Sequence, residues 1–213
     1  MAKIDLAKRA EIGRVKSART REQLLEAARS LYAKQAVESV TVEDVVREAG
    51  VAKGTLYVHF KNIEAVQMTV ADELTQIFVG LLRPRRAIFS DPIERIADGC
   101  FTFLHQAMLN PQWGGLVASY AASFPTVGSA ARALLADDLR QAARQERIAG
   151  ISFHLSTALV VGIVLQVMRS VSEKNLRSSD MPFAVIAILQ SLGVARREAT
   201  AVVKRVTSTK SPL

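Results

Sequence analysis

Lys53, Thr55, Tyr57 and His59 set cationic and hydrogen-bonding side chains along one short stretch that ends at Phe60. Leu56 and Phe60 stand four apart in the same stretch and give it a helical core face. The polar residues therefore fall on the remaining faces of a short, exposed rod. Such groups suit phosphates and base edges, and a rod of this size fits the major groove of B-DNA. Catalysis needs a different arrangement. The sequence has no Gly-rich phosphate loop, no G-x-S-x-G and no His/Cys/carboxylate cluster. His105, His154 and Cys100 lack metal-ligand spacing. Neither a metal nor a cofactor is expected, and the chain does not read as an enzyme.

The rod needs a second helix to hold it. Thr41 is a good N-cap, with Glu43 and Asp44 in the first turn where the helix dipole favours negative charge. Asp44, three residues after Thr41, makes a shortened capping box. Val42, Val45, Val46 and Ala49 form an apolar stripe, and Gly50 supplies the positive φ that ends a helix cheaply. Two helices joined by a short turn containing Gly fit a helix-turn-helix. They fit an ordinary helical hairpin with a solvated face equally well.

Upstream, Thr20 and Gln23 form a Thr-x-x-Gln capping box, and Leu24, Ala27, Ala28, Leu31 and Tyr32 make a buried stripe. These residues, with Thr41-Val42-Glu43-Asp44-Val45 and the run Ala49-Gly50-Val51-Ala52-Lys53-Gly54-Thr55-Leu56-Tyr57-Val58-His59-Phe60, closely resemble the DNA-binding segment of the TetR (tetracycline-repressor) family of bacterial transcription regulators. The likeness covers about a quarter of the chain and decides between the two readings in favour of DNA. Three positions depart from the family pattern. Ala52 replaces a Ser that caps the recognition helix, Ile63 replaces a phosphate-contacting Lys, and Ala36 replaces a Gly that ends the first helix.

Composition fits an all-α protein. The 213 residues are 49% hydrophobic and 6% aromatic, rich in Leu, Ala and Val, without the alternating β-branched runs of a sheet. Net charge is +8, and residues 1–21 hold seven cationic side chains against two acids. An excess of this kind points to polyanionic partners. One cysteine, Cys100, fits a reducing cytoplasm. We expect a basic flexible arm at 1–19, a three-helix helix-turn-helix domain at 20–61 and a connecting helix at 62–84. A larger helical ligand-binding and dimerisation domain follows at 85–193, then a basic tail at 194–213, in which residues from 195 could form a short helix before a Ser/Thr-rich end.

Within that arm, Ile4, Ala7, Ile12 and Val15 offer a weak helical stripe. Asn62 caps the connecting helix, which Arg83-Pro84-Arg85-Arg86 should end because the residue before proline is pushed out of helical conformation. Asp91-Pro92-Ile93-Glu94 starts the next helix, and Asn110-Pro111 stops it. A shorter helix over about 112–124, weakened by Gly114-Gly115, closes before Pro125-Thr126. Ser129 caps a charged helix.

Residues 148–168 contain no acid, Lys or Arg and approach the ~20 residues that a bilayer span requires. His154, Gln166, Ser152, Ser156 and Thr157 within the segment, and the lack of an aromatic belt, argue for a helix buried on all sides by protein, with no membrane partner. The helices near 151–173 and 181–192 are too apolar for the surface of a monomer. Ala158 and Gly162, four apart, would allow close backbone approach.

The resemblance implies more. The last two long helices would pair across a two-fold axis, making a homodimer that binds a pseudo-palindromic double-stranded DNA operator. Thr41 and Thr55 would bond phosphates, and Lys53 and Lys61 would neutralise them. Gly54 would let the backbone approach, and Tyr57 and His59 would reach backbone or base edges. The regulatory half would take a small, mainly apolar inducer, for which Phe101, His105, Met108, Trp113, Tyr120 and Phe124 are the candidate contacts. The alternative to a ligand-responsive repressor is an architectural DNA-binding protein without an inducer.

Overall fold

The computed structural model describes residues 2–124, 126–148 and 150–209, with side chains from Lys8 onward. Residue 1 of the expected arm and residues 210–213 of the expected tail lie outside that range, as do the side chains of Ile4 and Ala7. Among the described residues the fold is all-α, and the chain divides between Val70 and Ala71 into two compact units.

The first unit holds α1 (Ala2–Lys34), a 3-10 turn (Val37–Ser39), α2 (Val42–Ala49), α3 (Lys53–His59) and the start of α4 (Ile63–Arg85). Leu24, Leu25, Ala28 and Tyr32 of α1 are fully buried with Val45, Leu56, Val66 and Val70. Gln67 Nε2 donates to Val37 O at 3.2 Å, tying α4 to the 3-10 turn. The helix expected to open at Thr20 opens at Ala2 instead, so the arm is helical. Residues 2–19 are mostly Ala, Lys, Arg, Glu, Leu and Ile with no proline, and such a run propagates a helix. Thr20 Oγ1 accordingly donates back to Lys16 O at 3.0 Å rather than capping. Residues 8–19 are exposed throughout, Ile12 and Val15 included. Ala36 sits at φ −59°, ψ 134°, a conformation that makes no demand for glycine.

The second unit is arranged around α5 (Pro92–Leu109), which packs against α6 (Pro111–Ser123), α7 (Ser129–Arg144), α8 (Phe153–Ser172), α9 (Met181–Ser191) and α10 (Arg196–Ser208). Gly114 and Gly115, which looked like weak points, are close-packing positions. A Cβ at Gly114 would stand 2.6 Å from Ala107 Cβ, and one at Gly115 would stand 2.9 Å from Ser172 Cβ. Their absence seats α6 against α5 and α8.

One expectation is corrected here, and two become specific. Helix α4 runs through Pro84 to Arg85, because proline in the final turn removes only its own donor; Arg86 N–H still reaches Leu82 O at 3.0 Å. The short helix that the basic tail could form is α10, and it takes up most of that tail. Its Ala199, Val202, Val203 and Val206, at i, i+3, i+4 and i+7, are buried, and Arg205 Nε donates to Glu94 Oε1 on α5 at 2.6 Å. Arg147 donates to both Asp91 and Glu198, and its bond to Glu198 is the main reason that its guanidinium pKa is raised. Helix α8 is not enclosed by its own chain. Only 28% of its most apolar stretch is buried, along Ser156, Val160, Val164, Met168 and Val171. Its length and composition would suffice to cross a membrane.

Candidate nucleic-acid interface and regulatory cavity

The turn between α2 and α3 is built by local chemistry. Thr41 Oγ1 accepts from Asp44 N–H at 3.2 Å, and Thr41 N–H donates to Asp44 Oδ2 at 3.0 Å, closing the capping box. The Thr41 hydroxyl and backbone hold the Asp44 carboxyl below its usual range. Gly50 adopts φ 66°, ψ 33°, and its N–H returns to the carbonyls of Arg47 and Val46. Ala52 precedes α3 in extended conformation with no side-chain cap.

Leu56 is fully buried and Phe60 nearly so, with the Arg21 guanidinium 4.9 Å from the centre of the Phe60 ring. The rest of α3 faces outward. Lys53 and Gly54 are exposed, Thr55 and His59 are half-buried, and Lys61 is exposed just beyond the helix. Tyr57 keeps 50% of its surface free and Val58 keeps 79%. A Cβ at Gly54 would meet no heavy atom within 4 Å, so nothing inside the protein requires glycine there. Lys53 Nζ pairs with Glu43 Oε1 on α2. Hydrogen bonding between them is the main reason that the Glu43 carboxyl lies below its ordinary value and the Lys53 ammonium above its own. The seven candidate DNA residues thus run from the N-cap of α2 along α3 to just beyond its end, each exposed or half-buried. Two further residues share that surface unpredicted: Glu43, read only as a first-turn acid, and Val58, an apolar side chain on an otherwise polar rod.

The second unit contains a cavity with an empty volume of about 790 Å³, counting its open mouth. It lies among α4, α5, α6, α7 and α8, and its wall is chiefly aliphatic, with Leu82, Ile96, Val117, Leu134, Val160 and Leu165 prominent. None of the six aromatic, histidine and methionine candidates lines it. Phe101 stacks on His105 along α5, with ring centres 6.2 Å apart. Tyr120 stacks on Phe124 at the end of α6, at 5.9 Å. Met108 and Trp113 are half-buried near the α5–α6 corner. A helix of α5's length has several faces, and the cavity lies on the one carrying Arg95, Ile96, Gly99, Cys100 and Phe103.

The polar wall was not foreseen. Asp138 on α7, 2% exposed, accepts both terminal nitrogens of Arg86 and takes Nε of Arg95 at 2.6 Å. Arg95 is held further by Phe89 O, Ser90 O and Gln141 Oε1. Asp98 binds Arg85 Nε through both oxygens, at 2.9 and 3.0 Å. Arg132 donates to the carbonyls of Val127 and Ala121, each at 2.5 Å, and burial lowers its pKa. Burial pushes the Cys100 thiol up to about 12, which leaves it an inert, neutral part of the wall. The one available signal was the run of arginines at 83–86 facing Asp137-Asp138 some fifty residues later.

Residues 24–66 match the family described as bacterial regulatory proteins, tetR family. Residues 91–205 match the family described as tetracyclin repressor-like, C-terminal domain. Among solved structures, RolR in complex with resorcinol superposes with a TM-score of 0.75 at 21% identity, over 89% of this chain and 95% of that one. FadR from Bacillus subtilis in complex with stearoyl-CoA gives 0.62 at 16% identity, over 89% and 99%. A regulator from Haemophilus influenzae gives 0.57 at 17%, over 82% and 97%.

Proposed function

We infer the function from one premise: the chain belongs to the TetR family, whose C-terminal domain description alone spans more than half of it. It is a DNA-binding transcription regulator of all-α helix-turn-helix type. Our reading is that it acts as a repressor, binding a pseudo-palindromic operator as a homodimer in the cytoplasm and leaving it when a small molecule enters the cavity.

The single observation that carries this reading is the outer surface of α3. A seven-residue helix buries Leu56 and leaves Lys53, Gly54, Thr55, Tyr57, Val58 and His59 in or near solvent. In our reading Thr41, Thr55, Lys53 and Lys61 hold phosphates, which positions the helix, and Gly54 admits the backbone. Tyr57 and His59 reach backbone or base edges, and Val58 suits a thymine methyl.

Dimerisation is supported by the apolar helices that their own chain leaves open. Leu155, Ala158 and Gly162 of α8 are exposed, as are Phe183 and Ala187 of α9. Covering such faces at ~25 cal/mol per Å² favours association, and obligate homodimer interfaces are the more apolar class. Two copies would then present recognition helices ~34 Å apart to successive major-groove faces. The cavity's chiefly aliphatic wall, with a few charged groups set into it, has the make-up of a small-molecule site. RolR and FadR were each solved with a small molecule bound, resorcinol and stearoyl-CoA.

Light scattering at micromolar concentration, with footprinting on DNA selected from random sequence, tests the proposal. A dimer and a discrete footprint of two half-sites are expected. A monomer, or diffuse coverage without a preferred site, would sink it.

A further inference from the structure

The hydrogen-bonding groups at the cavity wall are unevenly used. Asp138 takes three donors, two from Arg86 and one from Arg95. Asp98 takes three from Arg85. The carboxylates of the wall are therefore nearly saturated by arginine. The donors are not: of the five N–H groups that a guanidinium carries, Arg86 directs two to Asp138. Arg86 is also the more open of Asp138's two partners, its side chain 26% exposed against 10% for Arg95.

Charge points the same way. Arg86 and Arg95 converge on one buried carboxylate, so the Asp138 cluster carries one positive charge in excess, beside a wall of Leu, Ile and Val. A positive excess walled by low-dielectric side chains attracts an anion more strongly than the same charge would in water. A ligand that fits both halves of this site has an acceptor-only, negatively charged head and an apolar body.

We propose that the cavity ligand is a small aliphatic carboxylic acid, its carboxylate bonded to the free N–H groups of Arg86 and its chain packed against the aliphatic wall. This rests on reading the cavity as the inducer site. Asp138 plays two parts: it orients Arg86 and repels the incoming carboxylate. Asp138→Asn keeps an acceptor for Arg86 and drops the repelling charge, so it should tighten binding, whereas removal of Arg86 weakens it. Alcohols of equal chain length keep the apolar contacts and lose the charge-assisted bonds.

Calorimetry of octanoate and octan-1-ol with the full-length chain tests this directly. The acid is expected to bind more tightly by roughly tenfold or more, the size of a charge-assisted hydrogen bond. Arg86→Gln should bring the acid-to-alcohol ratio close to unity, and Asp138→Asn should raise it. Should Arg86→Gln fail to fold, Arg86→Lys keeps the charge without the fork and should give an intermediate ratio. The proposal is overturned if the alcohol binds as well as the acid, if neither binds, or if the ratio survives Arg86 replacement. Operator affinity measured without any acid judges the regulator reading separately.

Discussion

The two units place their chemistry in opposite ways. In the first, the candidate DNA-contacting groups lie between Thr41 and Lys61, on two short helices and a turn whose geometry neighbouring residues fix. In the second, the cavity draws on Thr75 through Leu165, and its polar wall depends on pairs such as Arg86 with Asp138, 52 positions apart. The candidate DNA-contacting side chains of the first unit are exposed or half-buried, and the Lys53–Glu43 pair among them is exposed. In the second unit the Arg85–Asp98 and Arg95–Asp138 pairs are buried and join helices. The same residue types are therefore free for recognition in one place and committed to architecture in the other.

That contrast can be broken by mutation, and the largest effect should fall in the second unit. Asp98→Ala leaves the Arg85 guanidinium buried without its carboxylate, and loss of one partner from a buried pair costs about 3–5 kcal/mol. Urea unfolding should show that loss. A change under about 1 kcal/mol would mean that the pair behaves like a surface one. Next comes Tyr57→Ala, which removes a half-exposed side chain outside the core. Operator affinity should fall by about 1–3 kcal/mol per half-site, with the unfolding midpoint nearly unchanged. Equal losses of affinity and stability would place Tyr57 in the architecture instead.

The smallest effect sharpens the comparison. Ala52 already has the extended backbone of an N-cap and lacks only the side chain. Ala52→Ser should add about 1 kcal/mol to the first unit and leave the second untouched. A stability equal to that of the parent would show that cap chemistry is not limiting there.

How much was legible follows the same division. Thr41, Asp44 and Gly50 act on groups within four residues of themselves, so their roles could be read directly, as could those of Leu56 and Phe60. The cavity could not be read, because which face of α5 meets α7 and α8 is settled by packing between distant segments. Aromatic content drew attention to Phe101, His105, Met108, Trp113, Tyr120 and Phe124, while Arg86, Arg95 and Asp138 resembled ordinary surface charges. Helix α10 was only half legible for a related reason. Residues 195–213 could hold a short helix, but their Ser, Thr and Lys content suggested a frayed tail, although the spacing of Ala199, Val202, Val203 and Val206 already marked a buried stripe.

If Lys53 holds a phosphate, as we propose, its pair with Glu43 bears on how the protein would tell its site from bulk nucleic acid. Lys53 would then meet DNA already neutralised by a carboxylate of its own chain, both groups being more than half exposed. Docking a phosphate there exchanges one anion for another. That exchange releases fewer condensed counter-ions per lysine than a free ammonium would. An exposed pair is worth little, so the swap costs little where the rest of the surface fits. Where it does not fit, Glu43 stays and repels the backbone. The ionic-strength dependence of binding should therefore be shallower than the number of lysines facing DNA suggests, and Glu43→Gln should steepen it while raising affinity for random sequence more than for the operator.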